Sequence, residues 1–157
     1  MRIGIGYDSH RFEAGRMLVL GGVDIPFDRG LLGHSDADVL CHAIIDAIIG
    51  ALGLGDIGAH FPDSDPKWKD AVSTDILRQT VLLARSQGYI VSWIDSTVMT
   101  EQPKIGPHIP AMKAAISTAG IRAELINIKA KTNEGMGFIG RGEGIAAIAT
   151  CLLEKTK

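Results

Sequence analysis

Apolar and polar residues alternate at the N-terminus, and this alternation predicts a strand. Arg2 to Tyr7 alternates isoleucine with glycine and leads into the polar sequence Asp8-Ser9-His10. Such alternation is typical of a strand that is buried on one face. Two short apolar runs, 17–20 and 23–25, flank Gly21-Gly22 and predict a hairpin. Two β-rich runs predict further strands at 89–99 and 126–130.

Helix signals mark three segments. The sequence Ser35-Asp36-Ala37-Asp38 has the pattern of a capping box and predicts a helix through Ile49. A second helix is predicted over 74–86, with Ser73 as its N-cap, and a third over 107–119. The apolar tail 145–153 fits either a strand or a helix, because short apolar runs do not separate the two.

The segment 54–69 is rich in glycine, proline and aspartate and predicts a long loop. Loops of this length in a compact domain are usually functional or mobile. Strands alternate with helices along the rest of the chain, which predicts a single domain over 1–157. The expected architecture is one α/β layer pair with the hairpin at the edge.

Composition narrows the class of protein. The chain has 157 residues, 46% of them hydrophobic and 22% charged, which are ordinary values for a globular domain. It has 16 Lys plus Arg against 18 Asp plus Glu and no block of like charge, so nucleic acid is not an expected partner. No apolar run approaches the ~20 residues that cross a bilayer, so no membrane is expected either. Without a signal-peptide pattern or a cysteine framework, we expect a cytoplasmic protein, or a plastid stromal one if a transit peptide was removed.

Three residues have the spacing of a metal site. Asp8 and His10 are two apart on a predicted strand and leave the same face, while His42 lies on the first predicted helix. Two imidazoles and a carboxylate leave one tetrahedral position open, which is typical of catalytic zinc. The alternative is a strand-end cap and a histidine that is satisfied in the core. Asp46, one turn after His42, either orients this site, holds a neighbouring polar group or is a surface carboxylate.

Other candidates have equally simple alternatives. His34 and Ser35 precede the first helix, where Ser35 is either an N-cap or part of a phosphate site. The aspartates of the long loop suit ordinary turns as well as a binding site. A cation, a hydroxyl and a carboxylate within 129–134 could bind phosphate and a hard cation. The glycine-rich segment 137–144 matches no phosphate-binding fingerprint and suits a tight turn.

Many ordered motifs carry a resemblance to a known family. They include Asp8-x-His10, Gly21-Gly22-Val23, Gly30-Leu31-Leu32, His34-Ser35-Asp36, His42-Ala43, Leu54-Gly55-Asp56-Ile57-Gly58, Phe61-Pro62-Asp63-Ser64-Asp65-Pro66, Pro103-Lys104, Pro107-His108-Ile109-Pro110, Asn127-Ile128-Lys129-Ala130, Gly137-Phe138 and Gly140-Arg141-Gly142-Glu143-Gly144. Over nearly its whole length the chain resembles the methylerythritol cyclodiphosphate synthases.

The resemblance implies two cations and a set of site residues. Asp8, His10 and His42 would bind one Zn²⁺ per subunit, and Glu134 would bind Mg²⁺ or Mn²⁺ with the diphosphate. His34 and Thr132 would stabilise the transition state. Substrate contacts are implied for Asp8, His10, His34, Ser35, Phe138 and Arg141. The methylerythritol part would be bound by Asp56, Ile57, Gly58, Phe61, Pro62, Asp63, Ser64 and Asp65. Cytidine and the diphosphate would be bound by Thr100, Glu101, Gln102, Pro103, Lys104, Ile105, Gly106, Lys131, Thr132, Asn133 and Glu134.

The resemblance also implies a reaction and an assembly. Such an enzyme converts 4-diphosphocytidyl-2-C-methyl-D-erythritol 2-phosphate to 2-C-methyl-D-erythritol 2,4-cyclodiphosphate and releases CMP, in the non-mevalonate route to isoprenoid precursors. The implied fold is α/β (α+β), with a mixed β-sheet, helices on one face, and the sheets packed around the threefold axis of a homotrimer whose active sites lie between subunits. A zinc-dependent phosphoester hydrolase and a non-catalytic binding module are the alternatives. Ser9 and Lys131-Thr132-Asn133 depart from the family's usual residues.

Overall fold

The computed structural model describes residues 1–156 and contains a mixed sheet with helices on one face. The strands are β1 (Arg2–Ala14), β2 (Leu18–Leu20), β3 (Val23–Ile25), β4 (Arg29–Leu31), β5 (Tyr89–Met99), β6 (Ile126–Lys131) and β7 (Gly144–Lys155). Five of them form the main sheet in the order β4-β1-β7-β5-β6. β5 and β6 are parallel and the other pairs are antiparallel, which confirms the mixed sheet.

Five α-helices and three 3₁₀ turns connect the strands within residues 1–156. The helices are α1 (Val39–Leu52), α2 (Ile57–His60), α3 (Ser73–Ser86), α4 (Ile109–Ser117) and α5 (Gly137–Gly140), and the 3₁₀ turns are Pro66–Trp68, Gly106–His108 and Ala123–Leu125. No helix within the described part of the chain has the length and apolar character that a bilayer crossing needs.

Close packing of α1 on β1 brings the predicted metal ligands together. A Cβ atom on Gly4 or Gly6 would lie 2.0 Å from a backbone carbonyl oxygen of α1, so only glycine permits this approach. Because side chains of a strand alternate between faces, Asp8 and His10 leave β1 on the same side as these glycines. The strand therefore carries both side chains along the surface of α1 to His42.

Helix α1 is almost wholly buried, since it packs between the sheet and α3. The residues of α1 that are not buried are His42, Asp46 and Gly50, spaced four apart along one line of the helix. A helix that is apolar nearly all round belongs in a core. Its two polar side chains, His42 and Asp46, therefore share the one partly exposed line of the helix.

The opposite face of the sheet exposes several large apolar side chains. Ile3, Ile5 and Tyr7 of β1 are 74%, 64% and 54% exposed, and Trp93 of β5 is 43% exposed. Ile148 and Leu152 of β7 lie beside them through the strand register. Large contiguous apolar surfaces of this kind typically mark an interaction site.

Two predictions about helix caps were wrong. Asp38, rather than Ser35, caps α1, because its carboxylate accepts the backbone N–H of Cys41 at 3.1 Å. Val72 occupies the N-cap of α3 and provides no side-chain acceptor, while Ser73 lies inside the helix. Both serine hydroxyls point instead to His42.

Several element predictions also needed correction. The predicted loop 54–69 contains α2 and a 3₁₀ turn, and the glycine-rich segment contains the helical turn α5 rather than a simple tight turn. The hairpin was confirmed, but it forms its own two-stranded sheet instead of an edge of the main sheet. The ambiguous tail is the strand β7, and the third helix starts at Ile109 after a 3₁₀ turn.

Candidate active site

The three predicted metal ligands converge in the structure. Asp8 Oδ2 lies 3.0 Å from His10 Nε2 and 3.0 Å from His42 Nδ1, and the two ring nitrogens are 3.3 Å apart. One donor atom from each residue lies within 4.8 Å of the others. Two imidazole nitrogens and one carboxylate oxygen are a donor set that suits zinc.

The hydrogen bonds around the two histidines also fit a metal centre. His10 Nδ1 lies 2.7 Å from the carbonyl oxygen of Leu32, which can only accept, so Nδ1 carries a proton and Nε2 is the nitrogen that faces the cluster. His42 Nε2 contacts the hydroxyls of Ser73 at 2.9 Å and Ser35 at 3.2 Å. Metal-binding histidines almost always have such a partner on the second ring nitrogen.

Electrostatics inside the cluster favours an ionised carboxylate. Burial alone would raise the pKa of Asp8, but hydrogen bonds from His10 and His42 outweigh it and hold that pKa well below its ordinary value. Burial likewise opposes the charged form of His10, yet the hydrogen bond and charge of Asp8 raise its pKa. A carboxylate that stays negative beside two nitrogens is a ready ligand for a cation.

The cluster opens into a cavity of about 340 Å³. Its wall includes most of the residues predicted for the first half of the site: Asp8, His10, His34, Ser35, His42, Ile57, Gly58, Phe61, Pro62 and Asp63. It also includes Gly33, Trp68 and Ile76, which the sequence analysis missed. Trp68 packs edge-on against Phe61, with ring centroids 4.9 Å apart, so an aromatic residue in the loop was the available signal.

Three other residues predicted for this half do not line the cavity. Asp56 caps α2 by accepting the backbone N–H of Ala59 at 2.9 Å. Asp65 caps the following 3₁₀ turn by accepting from the N–H of Lys67 at 3.0 Å. Ser64 lies between these elements, outside the cavity wall. Asp56 and Asp65 thus have the turn-forming role that the sequence left open.

Hydrogen bonds hold the backbone around His34, while one of its ring nitrogens has no partner within residues 1–156. Arg16 donates to the carbonyl oxygens on both sides of it, at 3.1 Å to Gly33 and 2.8 Å to Ser35. The backbone N–H of Asp70 donates to the His34 carbonyl at 2.9 Å. The buried Nε2 of His34 has no hydrogen-bond partner within residues 1–156. Since buried polar atoms are normally paired, this nitrogen suits a ligand in the cavity.

A second cavity, of about 280 Å³, contains much of the predicted second half. Its wall includes the predicted residues Thr100, Pro103, Lys104, Ile105, Gly106, Lys131 and Thr132. Pro107 and Ala130, which were not predicted as site residues, complete the wall of this cavity. Lys104 and Lys131 offer positive charge, which suits a phosphorylated ligand.

The remaining residues of the second half shape the adjoining loop. Glu101 Oε1 accepts the backbone N–H groups of Asn133 at 2.8 Å and Gly135 at 3.2 Å. Gln102 accepts the Thr100 hydroxyl at its backbone carbonyl, 2.5 Å away. Thr132 donates to Glu134 Oε1 at 2.7 Å. The exposed Glu134 carboxylate therefore stands at the end of β6, beside the cavity but outside its wall.

Comparison with known proteins gives one consistent result. A family model described as the YgbB family matches residues 1–154. The chain belongs to the YgbB family. A protein of Geobacter metallireducens named 2-C-methyl-D-erythritol 2,4-cyclodiphosphate synthase is 56% identical over 156 residues, covering 99% of each chain.

Solved structures that are similar in sequence to this YgbB-family chain have the same fold. The bifunctional IspDF of Campylobacter jejuni is 42% identical with a TM-score of 0.95, and the match covers 99% of this chain and 42% of that protein. The IspF of Plasmodium falciparum, described as a CDP complex, is 36% identical with a TM-score of 0.87, covering 99% of this chain and 97% of that one. These likenesses confirm the mixed α+β fold expected from the family resemblance.

Phe138 and Arg141 of this YgbB-family chain lie apart from both cavities described above. Phe138 borders another pocket together with Ser9, His10 and Arg11. Arg141 forms an ion pair with Glu143 at 2.6 Å on the surface. The structure brings Phe138 near a metal-cluster residue but brings Arg141 to neither half of the site.

Within residues 1–156 the two halves of the predicted site line two different cavities. The walls of the metal cavity and of the Lys104–Thr132 cavity have no residue in common. Each half is well formed, with its own cavity and its own hydrogen bonds.

Proposed function

We propose that this chain converts 4-diphosphocytidyl-2-C-methyl-D-erythritol 2-phosphate to 2-C-methyl-D-erythritol 2,4-cyclodiphosphate with release of CMP. The whole chain, 1–157, would act as one domain in the cytoplasmic non-mevalonate route to isoprenoid precursors. The observation that carries the proposal is the convergence of Asp8, His10 and His42 at the floor of an open cavity. Relatives that are 56% identical over the full length are named for this reaction.

Two cations have proposed positions on the chain. Asp8, His10 and His42 would hold one Zn²⁺ per subunit, because they offer a nitrogen and oxygen donor set with room for a further ligand. Glu134 would hold Mg²⁺ or Mn²⁺, since these hard cations prefer carboxylate oxygen and phosphate. When bound, such cations supply Lewis-acid stabilisation of the charge on phosphoryl oxygens, worth several kcal/mol.

The remaining side chains would position the substrate. The methylerythritol part would lie against Ile57, Gly58, Phe61, Pro62 and Asp63, which share the wall of the metal cavity. The cytidine diphosphate part would lie against the cavity of Thr100, Lys104 and Thr132, where the lysine cation can pair with phosphate. His34 and Thr132 would donate hydrogen bonds to the reacting phosphates.

The proposed chemistry is one intramolecular displacement. An oxygen of the 2-phosphate forms a bond to the β-phosphorus, and the bond from that phosphorus to the bridging oxygen of CMP breaks. CMP leaves with the electron pair, so no water is consumed and no enzyme-bound intermediate is required. Holding both ends of the substrate in reach could contribute about 7–11 kcal/mol through positioning.

A homotrimer would bring the two halves together. The exposed face of Ile3, Ile5, Tyr7 and Trp93 supports the packing of sheets around a threefold axis, because that packing would remove these side chains from water. The separation of the two cavities within one chain supports an active site built from adjacent subunits. In a ring, the metal half of one subunit would face the nucleotide half of the next.

Phosphorus NMR of the purified protein with substrate, Zn²⁺ and Mg²⁺ tests the proposal directly. We expect two products in equal amounts, CMP and a cyclic diphosphate. A zinc-dependent phosphoester hydrolase would instead release a free monoester by attack of water. Binding without turnover would indicate a non-catalytic module. Either of these two results would overturn the proposed reaction.

A further inference from the structure

A chain of hydrogen bonds runs from the metal cluster into the protein. His42 Nε2 lies 2.9 Å from the hydroxyl of Ser73, and that hydroxyl donates to the carboxylate of Asp36. The second carboxylate oxygen of Asp36 accepts the backbone N–H of Ser73 at 2.9 Å. Asp36 thus holds Ser73 by two bonds, one through the side chain and one through the backbone.

The Asp36 carboxylate, at the far end of this series of hydrogen bonds, determines which groups donate. A carboxylate only accepts, so the single hydroxyl proton of Ser73 is directed at Asp36. The Ser73 oxygen can then only accept from His42, which places the imidazole proton on Nε2. Nδ1 is left facing Asp8 and His10: without a metal it can donate to the Asp8 carboxylate, and a bound metal would take its lone pair instead.

Ser73 does not cap α3, because its hydroxyl makes this contact instead. Serine at the start of a helix typically caps it by accepting a backbone N–H. The start of α3 has no side-chain cap at Val72, and the hydroxyl of the fully buried Ser73 turns to Asp36 and His42 instead. A residue that breaks a local rule without a gain to its own helix often has a functional role.

The two histidine ligands differ in how their protons are placed. His10 is fixed by the backbone carbonyl of Leu32, an acceptor that no side-chain substitution removes. His42 depends on side chains, namely Ser73 and the more distant hydroxyl of Ser35, which itself accepts the backbone N–H of Ala37 at 3.1 Å. The His42 end of the cluster is therefore the one that mutation can disturb.

We propose that Ser73 and Asp36 are positioning residues that keep His42 protonated at Nε2, so that Nδ1 is oriented for the metal. This inference deepens the proposed function and rests on the zinc site assigned there. Residues in this relation to a metal ligand typically change metal affinity 10- to 100-fold when they are removed. Because both residues act through one hydrogen-bond chain, their effects should not add.

The test compares Zn²⁺ affinity of the metal-free protein by competition with a chelator. The variants are Ser73→Ala, Asp36→Asn and the double variant, and the matched control is Ser96→Ala. Ser96 is also a buried serine, but its hydroxyl donates to the carbonyl of Asn127, away from the cluster. We expect each single variant to bind Zn²⁺ 10- to 100-fold more weakly, the double variant to resemble the weaker single, and the control to match the parent.

A spectroscopic measurement gives a second, activity-independent readout. In ¹⁵N-histidine spectra of metal-free Asp8→Ala protein, in which no carboxylate competes at Nδ1, His42 should be protonated at Nε2, and adding Asp36→Asn should shift the proton toward Nδ1. Asparagine keeps the shape of aspartate but can donate to Ser73, which would reverse the chain. This variant decides the matter if Ser73→Ala does not fold.

The possible failures can be told apart. A parent protein that binds Zn²⁺ while Asp36→Asn keeps its affinity within twofold and its His42 tautomer would overturn this inference alone. A parent that binds no Zn²⁺ would overturn both the metal site of the proposed function and this inference.

Discussion

Asp46 Oδ1 accepts a hydrogen bond from the backbone N–H of Ile57 at 2.7 Å. Asp46 lies on α1, one turn after His42, and Ile57 begins the short helix α2 that lines the metal cavity. The helix that carries a metal ligand thus also holds the cavity wall. Of the three roles considered from the sequence, the structure supports the second, in which Asp46 holds a neighbouring polar group.

Substitution of Asp46 should separate this mechanical role from a role in metal binding. We expect Asp46→Ala to lower the free energy of unfolding by about 1–3 kcal/mol, because it leaves a backbone N–H without its partner. It should also raise KM while Zn²⁺ affinity stays unchanged. Asp46→Asn keeps an acceptor oxygen and should remain close to the parent in both measurements. Weaker Zn²⁺ binding in Asp46→Asn would point to a direct effect on the metal site.

His42→Ala should lose Zn²⁺ and nearly all turnover while the protein remains folded. Three protein ligands hold a catalytic zinc, and removal of one leaves a site that binds far less tightly. Metal content after dialysis and circular dichroism provide the two measurements. His108→Ala is the matched control, since His108 lies outside the metal cluster. Zinc near one per subunit in His42→Ala would contradict the ligand assignment.

Glu134→Gln should keep Zn²⁺ but lose activity at ordinary Mg²⁺ concentration. A neutral amide binds a hard cation more weakly than a carboxylate does, so activity should recover partly as Mg²⁺ is raised. Glu154→Gln, which changes an exposed glutamate at the end of β7, serves as the control. If Glu134→Gln titrates with Mg²⁺ as the parent does, another group holds that cation.

Mixing two inactive variants should restore activity if the active site lies between subunits. His42→Ala disables the metal half and Thr132→Ala the nucleotide half, so each alone should be nearly inactive. When equal amounts are refolded together into rings of three, about one site in four should combine two intact halves. No gain in activity, with subunit exchange confirmed by mass spectrometry of tagged chains, would show that each site is built within one chain.

The thiol of Cys151 should make the protein less stable at alkaline pH. Burial raises the pKa of Cys151 to about 12, above its ordinary value of 9.0. Between these values the unfolded chain loses the proton and the folded chain keeps it, so stability falls as pH rises, by about 1.4 kcal/mol per pH unit. Below pH 9 both states keep the proton and this contribution does not change.

The matching measurement is urea unfolding of the parent and of Cys151→Ala between pH 7 and 11. Their difference in unfolding free energy should be constant up to about pH 9 and then shift in favour of Cys151→Ala. The buried Cys41 also has a raised pKa, but it is present in both proteins and cancels in the comparison. A constant difference over the whole range would contradict the assigned pKa.

Sequence alone determined the features that depend on local spacing. The alternation in β1 placed Asp8 and His10 on one face, and the helical pattern around His42 placed it on one line of α1 with Asp46. The family resemblance, carried by motifs along nearly the whole chain, led to the same reaction that names the curated relatives. Neighbour relations of this kind follow from the geometry of a strand or a helix and need no distant contact.

Only the tertiary structure decided the contacts between distant segments. Ser35 and Ser73 have the sequence signature of caps, yet their hydroxyls meet His42, which is 7 and 31 residues away. Trp68 and Ile76 line the same cavity as His42, although they are 26 and 34 residues away from it in the sequence. The hydrogen-bond partner of a hydroxyl depends on which groups packing brings near it. The local sequence does not show which distant group that will be.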